Sequence, residues 1–240
     1  MVSVASLKIK LFMDGAEIGP IADAVKNNPR IKGFTTNPTL MRKAGISDYE
    51  AFARDAIKVV GDLPISFEVF SDSFDEMEAE ARKIRTWGGN TYVKIPVTNT
   101  KGESAAPLIA KLSKEGIALN VTAILTLDQV REVGAALDPE TPAIVSVFAG
   151  RIADTGVDPT PLMAEAVKIL APHPKHELLW ASPRELLNVF QADEVGCQII
   201  TATKDVLAKL SLVGKDLGQY SLETVQMFYN DAKAAGYRLI

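Results

Sequence analysis

Cysteine and histidine are scarce in this chain. Its 240 residues include one cysteine, Cys197, and two histidines, His173 and His176. A single cysteine excludes an internal disulfide and any metal site built from several cysteines. The two histidines lie in the proline-rich stretch APHPKHE (171–177), where we expect a solvated turn in preference to a metal site.

Long apolar runs and an excess of basic residues are also missing. No stretch approaches the roughly 18 apolar residues of a membrane-spanning helix, and no apolar run precedes a cleavage site near the N-terminus. We therefore expect a cytoplasmic protein. The formal net charge of −4 gives no general basic surface for nucleic acid, although it leaves room for a local basic pocket that binds a small anion.

Eight short apolar runs alternate with amphipathic stretches along the chain. The runs span 9–15, 32–38, 64–70, 91–97, 117–125, 143–150, 177–182 and 197–203. Strict alternation of strands and helices indicates a parallel sheet, and eight strands in a chain of this length favour a closed (β/α)8 TIM barrel. The alternative is a doubly wound open sheet, but its first turn holds MDGAEIG (13–19) instead of a glycine-rich phosphate loop.

The sequence gives no sign of a second domain, so we predict one domain over 1–240. Two more helical patterns, KDVLAKLSLVG (204–214) and SLETVQMFYNDAKAAG (221–236), follow the eighth strand. We expect a C-terminal helical tail over about 204–240, which packs on its own barrel or on a neighbouring subunit.

The side chains of a strand alternate between its two faces. In TYVKIPV (91–97) this alternation places Val93 and Ile95 towards the helices and Lys94 towards the barrel interior. It places other polar residues inside as well: Asp14, Ser66, Glu68, Asn120, Thr122, Ser146 and Ser182. It places Ala123, Leu179 and Ala181 outside. Because barrel active sites lie at the carboxyl ends of strands, the inward polar residues are expected to converge on one pocket.

Lysine is rarely buried without a partner, so Lys94 either forms a structural ion pair with Glu68 or has a chemical use. Burial favours the neutral amine, which attacks a ketone to form a Schiff base. The protonated imine then draws electrons from an adjacent C–C bond, and the bond breaks without a metal. Glu68 with Thr122 suits proton transfer through a water molecule, and Asp14 suits removal of a proton from a sugar hydroxyl.

Two arginines are candidates for phosphate binding, because the guanidinium group is rigid and permanently charged. Arg151 lies in VFAGRIADTG (147–156), where we expect a loop at the barrel mouth. Arg184 lies in SPRE (182–185), which resembles a capping box, so Ser182 and Arg184 are expected at a helix N-terminus. A surface ion pair is the alternative for each arginine.

Other candidates also have structural alternatives. Asp14 precedes Gly15 and suits a turn, and Thr122 suits a strand by propensity alone. Asn37 precedes Pro38 and suits the cap of a helix.

Four segments resemble signature segments of the transaldolase family, in the small-subunit branch that includes fructose-6-phosphate aldolase. They are GFTTNPTL (33–40), YVKIPV (92–97), NVTAILT (120–126) and SVFAGRIADTG (146–156). The resemblance covers about residues 8–203 and implies a (β/α)8 barrel without cofactor or metal. It implies that Lys94 forms the Schiff base, that Asp14 is the acid/base, and that Glu68 with Thr122 holds the catalytic water.

The resemblance also implies substrate contacts. Asn37 and Ser146 are expected to bind substrate hydroxyls, and Arg151, Ser182 and Arg184 to hold the phosphate. Two segments depart from the family pattern: SVFAGRI lacks the proline of SPFVGRI, and SPRE replaces an SFR or SFK run.

Two positions favour transaldolase within the family, because the aldolase has glutamine and tyrosine where this chain has Glu68 and Phe148. We therefore predict an enzyme of the pentose phosphate pathway that transfers a dihydroxyacetone unit between sugar phosphates. The expected donors are fructose 6-phosphate and sedoheptulose 7-phosphate, and the acceptors are erythrose 4-phosphate and glyceraldehyde 3-phosphate.

The resemblance further implies a homo-oligomer, a pentamer or decamer. The alternatives are a fructose-6-phosphate aldolase, a transaldolase with another donor, and a non-catalytic barrel that binds sugar phosphates.

Overall fold

The strands of the computed structural model, which describes residues 3–239, close into a parallel barrel. They follow one another around the barrel in chain order, and the last strand pairs with the first. The strands are β1 (Lys10–Asp14), β2 (Ile31–Thr35), β3 (Ile65–Glu68), β4 (Thr91–Pro96), β5 (Leu119–Ile124), β6 (Ala143–Val147), β7 (His176–Trp180) and β8 (Ile199–Thr203). This order confirms the predicted (β/α)8 barrel.

Helices lie between the strands and after the last one. They are α1 (Ile18–Asn27), α2 (Pro38–Lys43), α3 (Tyr49–Val60), α4 (Phe74–Arg85), α5 (Ala106–Lys114), α6 (Leu127–Ala136), α7 (Ala149–Ala153), α8 (Thr160–Leu170), α9 (Leu187–Glu194), α10 (Lys204–Ala208) and α11 (Leu217–Ala234), with 3₁₀ turns at Val4–Ser6 and Lys209–Leu212. Thr126 and Gln129 form a reciprocal capping box at the start of α6, which satisfies first-turn N–H groups. Within residues 3–239, no helix is long and apolar enough to cross a membrane.

The described chain divides into two compact units. The barrel unit comprises residues 8–208, and the second unit comprises residues 3–7 and 209–239. Helix α10 belongs to the barrel unit. The C-terminal part of the second unit therefore begins at residue 209, five residues after the predicted start of the tail at 204. The ends of the predicted domain, residues 1 and 240, lie outside the described residues, and the single-domain assignment stays a prediction.

Apolar side chains fill the centre of the barrel. Phe12 packs in a buried cluster with Ile144, Leu179, Ala181 and Ile199. Its ring occupies the space beside Gly33 on β2, where a Cβ atom would lie 2.4 Å from the ring. The absence of a side chain at position 33 therefore allows the large ring of Phe12 to fill the interior.

The predicted outward direction of Leu179 and Ala181, in and just after the seventh strand, is wrong. Leu179 and Ala181 point inward and pack with Phe12, whereas Trp180 lies on the outer face beside Ala149. Residues 178–181 are apolar on both faces, as is common in parallel strands. Polarity therefore carried no information about which face was inside.

The predicted outward direction of Ala123 is also wrong. The β5–β6 pairing shifts between Val121 and Ile124, and Ala123 adopts a φ of +63°. Such an irregularity breaks the strict alternation of faces, so Ala123 lines the cavity at the barrel mouth.

His176 does not lie in a solvated turn, contrary to the prediction. It begins β7, the residue is 3% exposed, and its Nε2 lies 3.0 Å from the carbonyl oxygen of Asp138. A carbonyl only accepts, so Nε2 carries the hydrogen and Nδ1 of the neutral ring is an acceptor. Within the described residues Nδ1 has no partner, and a proton there would be buried without an acceptor.

The stability of the fold is expected to depend on pH through His176. Burial lowers the pKa of His176 below the ordinary value of 6.5, although the hydrogen bond to Asp138 opposes this shift. The unfolded chain then binds the proton more readily. Neutral His176 makes its full contribution to the free energy of unfolding above about pH 6.5. This contribution is lost as the pH falls towards the lowered pKa that His176 has in the folded protein.

The test compares urea unfolding of the wild type with that of His176→Gln, which keeps an N–H donor for Asp138 but does not titrate. The free energy of unfolding of the wild type should fall relative to the variant between about pH 8 and pH 5. A difference that stays constant over this range would contradict the assignment.

Candidate active site

A cavity of about 620 Å³ opens at the carboxyl ends of the strands. It has the size of a small-molecule site. The structure brings all the residues predicted for the site to its lining: Asp14, Asn37, Glu68, Lys94, Thr122, Ser146, Arg151, Ser182 and Arg184. Their chemical roles stay predictions.

Lys94 lies in the middle of β4 and is 7% exposed. Its Nζ is 3.1 Å from Oε2 of Glu68 and donates a hydrogen bond to the carbonyl oxygen of Thr36 at 3.1 Å. The structural ion pair considered for Lys94 is therefore present. The pair keeps a charged group inside the barrel and also gives Lys94 an adjacent proton acceptor.

Asp14 ends β1 and accepts a hydrogen bond from the hydroxyl of Thr35 at 2.7 Å. Burial raises the pKa of Asp14, while the positive charge of Lys94 and the hydrogen bond from Thr35 lower it. The negative charge of Glu68 raises it further. Environments of this kind bring a carboxyl group closer to the pH at which it exchanges a proton with substrate.

A buried hydrogen-bond chain crosses from β6 to β3. The hydroxyl of Ser146 donates to Oδ1 of Asn120 at 2.6 Å, and Nδ2 of Asn120 donates to the hydroxyl of Ser66 at 3.0 Å. The chain fixes the orientation of the Asn120 amide. The hydroxyl of Thr122 is buried and has no partner among residues 3–239, so it is the hydroxyl of β5 that is left to bind water or substrate.

Asn37 caps α2, as its structural alternative predicted. Its Oδ1 accepts a hydrogen bond from the backbone N–H of Leu40 at 3.0 Å. The cap uses the carbonyl oxygen of the side chain and leaves the amide N–H groups as donors. Asn37 can therefore stabilise the helix and bind a substrate hydroxyl at the same time.

The two predicted phosphate-binding arginines differ in their partners. Arg184 forms a two-pronged ion pair with Asp154, in which Nε donates to Oδ1 at 2.8 Å and an NH₂ group donates to Oδ2. Arg151 lies 5.5 Å from the centre of the Phe148 ring and forms no ion pair within the part of the chain that the structure describes. Arg151 is therefore the arginine whose charge is available to an anion.

Two local predictions around these arginines are wrong. Arg151 lies on the short helix α7 and not in a loop. The helix predicted to start at Ser182 begins only at Leu187, so Ser182 and Arg184 do not lie at its N-terminus. The side chain of Asn188 accepts hydrogen bonds from the backbone N–H groups of Arg184 and Glu185, and these bonds hold SPRE as an irregular loop.

Comparison with known proteins adds a second line of evidence. The family model described as Transaldolase/Fructose-6-phosphate aldolase matches residues 11–239. The chain belongs to this family. A protein of Dehalococcoides mccartyi named "Probable transaldolase" is 34% identical over 203 residues, which are 84% of this chain and 90% of the relative. A protein of the same name from Thermoplasma volcanium is 35% identical over 205 residues, 84% of this chain and 87% of the relative.

Among solved structures, KGPDC from Streptococcus mutans has a TM-score of 0.56 over 85% of this chain and 91% of its own, at 12% identity. This likeness concerns the fold alone. Membership of the transaldolase/fructose-6-phosphate aldolase family makes the chain an enzyme of the transaldolase or aldolase kind.

Further residues line the cavity that are not among the candidates predicted from the sequence, including Thr35, Lys43 and Thr201. Thr35 ends β2, Thr201 lies in the middle of β8, and Lys43 ends α2. The alternation of faces would have found both threonines if it had been applied to β2 and β8. No sequence signal identified Lys43, because its place depends on how α2 sits beside the barrel mouth.

Close backbone contact joins helix α7, which carries Arg151, to the loop that carries Ser182. A Cβ atom on Gly150 would lie 1.5 Å from the carbonyl oxygen of Ser182, and the N–H of Gly150 donates to the carbonyl of Ala181 at 3.2 Å. Ser182 itself has a φ of +57°. Only glycine at position 150 permits this approach of the two segments.

Gly150→Ala is therefore expected to destabilise the protein, because one of the two backbone segments must move. We expect the free energy of unfolding in urea to fall by about 1–3 kcal/mol or more. Gly19→Ala is the matched control, since a Cβ atom there meets no atom within 4 Å. Equal stability of Gly150→Ala and the wild type would contradict the contact.

Proposed function

We propose that this chain is a transaldolase that transfers a dihydroxyacetone unit between sugar phosphates through a Schiff base on Lys94. The observation that carries the proposal is the buried Lys94, which opens on the cavity and is paired with Glu68 at 3.1 Å. The expected donors, acceptors, pentose phosphate pathway and cytoplasmic location are parts of the same proposal.

The first stage forms the Schiff base. Glu68 accepts a proton from the ammonium group of Lys94, and the neutral amine attacks the keto carbon of the donor. The resulting carbinolamine loses its hydroxyl group as water, with a proton returned by Glu68, and a protonated C=N bond remains. The partnerless hydroxyl of Thr122 supports a role in holding this water.

The second stage breaks a C–C bond of the donor. This bond joins the carbon next to the imine carbon to the following carbon, which carries a hydroxyl group. Asp14 takes the proton of the hydroxyl group on the far carbon, that carbon becomes an aldehyde, and the bonding electrons move to the imine nitrogen. The three-carbon enamine stays on Lys94. An acceptor aldehyde then reverses these steps, Asp14 returns the proton, and hydrolysis of the new imine frees the product and the lysine.

Side chains around Lys94 are suited to hold the rest of the substrate. The amide N–H groups of Asn37 and the hydroxyl of Ser146 can bind the hydroxyls of the sugar. Arg151, whose charge has no ion-pair partner in residues 3–239, is the principal candidate for the phosphate. Ser182 and Arg184 complete this end of the cavity, with Arg184 held in place by Asp154.

The transfer reaction is tested with fructose 6-phosphate as donor, with and without erythrose 4-phosphate. Glyceraldehyde 3-phosphate should appear only when the acceptor is present. Lys94→Met should lower turnover by at least about a thousandfold, because the nucleophile is gone. Lys114→Met, which removes an exposed lysine at the end of α5 that does not line the cavity, is the matched control and should keep turnover.

Other outcomes of this assay point to the alternatives. Equal release without acceptor would identify an aldolase. No release in either reaction would contradict the proposed donor, and a sulfonated or longer-chain sugar would then be tested. Full turnover of Lys94→Met would contradict the Schiff-base mechanism.

We also propose that the chain forms a homo-oligomer, a pentamer or decamer, through α11. This helix has no buried residue, and one side carries Leu222, Val225, Phe228 and Tyr229, each at least half exposed. An apolar helical face of this kind is typical of a contact surface. Analytical ultracentrifugation should show an oligomer that Phe228→Glu weakens, and a monomeric wild type at micromolar concentration would contradict the proposal.

A further inference from the structure

Three oxygen-bearing side chains form a hydrogen-bond chain across β8, β2 and β1. The hydroxyls of Thr201 and Thr35 lie 2.6 Å apart, and the hydroxyl of Thr35 lies 2.7 Å from Oδ1 of Asp14. Both threonines are buried, with 7% and 2% of their surface exposed. This hydrogen-bond chain thus begins inside the barrel and ends at the carboxyl group that faces the substrate cavity.

The number of hydrogens sets the direction of this chain. A hydroxyl has one hydrogen to donate, and an ionised carboxylate only accepts. When Asp14 is ionised, Thr35 gives its hydrogen to Asp14, so the hydrogen between the two threonines must come from Thr201. When Asp14 is protonated and donates to Thr35, Thr35 can donate to Thr201 and the whole chain reverses.

Thr201 can serve both states because its hydroxyl donates and accepts. A hydroxyl that accepts a hydrogen bond is a stronger donor in its turn, so Thr201 strengthens the bond from Thr35 to the carboxylate. Without Thr201, the hydroxyl of Thr35 would have a buried lone pair without a donor and would be freer to rotate away from Asp14.

We propose that Thr201 is a positioning residue that orients the hydroxyl of Thr35 towards Asp14 and so prepares this carboxylate to accept the proton of the substrate hydroxyl. This inference rests on the acid–base role proposed above for Asp14. Thr201 acts through Thr35 and takes no part in forming the Schiff base on Lys94.

Charged groups around Asp14 set the background for this effect. Lys94 and Glu68, on β4 and β3, act on Asp14 electrostatically, and Lys43, Arg151 and Arg184 line the same cavity. None of these groups belongs to the threonine chain. A substitution at Thr201 therefore changes the hydrogen bonding of Asp14 and leaves these charges in place.

The test compares Thr201→Val, which keeps the shape but removes the hydroxyl, with Thr201→Ser, which keeps the hydroxyl. The titration of Asp14 is followed by carboxyl ¹³C NMR, with the signal assigned by its loss in Asp14→Asn. Thr201→Val should raise the pKa of Asp14 by about half a unit or more, because a bond that favours the ionised form is weakened. Thr201→Ser should return it to the wild-type value.

Activity gives a second, separate measurement. For Thr201→Val we expect the rate of glyceraldehyde 3-phosphate release near neutral pH to fall about three- to tenfold and the acid limb of its pH profile to move to higher pH. The amount of adduct trapped on Lys94 by borohydride should stay at the wild-type level, because this step does not need Asp14. Thr201→Ser should restore the rate and the profile.

Two results would overturn the inference. In one, Asp14 titrates alike in Thr201→Val and the wild type. In the other, Thr201→Ser shifts the titration as much as Thr201→Val, which would indicate packing alone. If the wild type itself forms no borohydride-trapped adduct, the proposed function fails, and the NMR titration still decides whether Thr201 acts on Asp14.

Discussion

The ammonium group of Lys94 lies inside the mouth of a closed barrel, and a charge in that position needs partners. An unpaired buried charge costs several kcal/mol. The parallel register supplies the first partner, because Glu68 on β3 lies directly opposite Lys94 on β4. The residue that follows β2 supplies the second, the carbonyl oxygen of Thr36. The geometry of three consecutive strands is thus tied to a single side chain.

The barrel separates the polar mouth from an apolar centre. Phe12 fills the interior because Gly33 leaves room for its ring, and the cavity above contains the hydroxyl, amide and carboxyl groups. Such packing limits the access of water to the cavity through the barrel interior. Electrostatic interactions at the mouth are therefore stronger than they would be in bulk water. The opposing effects on Asp14, burial against the charge of Lys94, are a direct result.

The sequence predicts the barrel, and it predicts the direction of side chains in strands where polar and apolar residues alternate clearly. Where this alternation is absent, the predicted directions are wrong. Lys94 lies between apolar residues that fix its phase, so its inward direction followed from TYVKIPV. Leu179 lies in a strand that is apolar on both faces, and Ala123 lies at a register shift, so neither direction could be predicted. The loop at Ser182 depends on hydrogen bonds to Asn188, a contact that the SPRE pattern does not reveal.

Covalent chemistry at Lys94 is central to the proposed function, and reduction with borohydride in the presence of fructose 6-phosphate tests it directly. Peptide mass spectrometry should place a reduced sugar adduct on residue 94 of the wild type and of Lys114→Met, and none on the corresponding peptide of Lys94→Met. An adduct on another lysine, with residue 94 unmodified and turnover intact, would contradict the account.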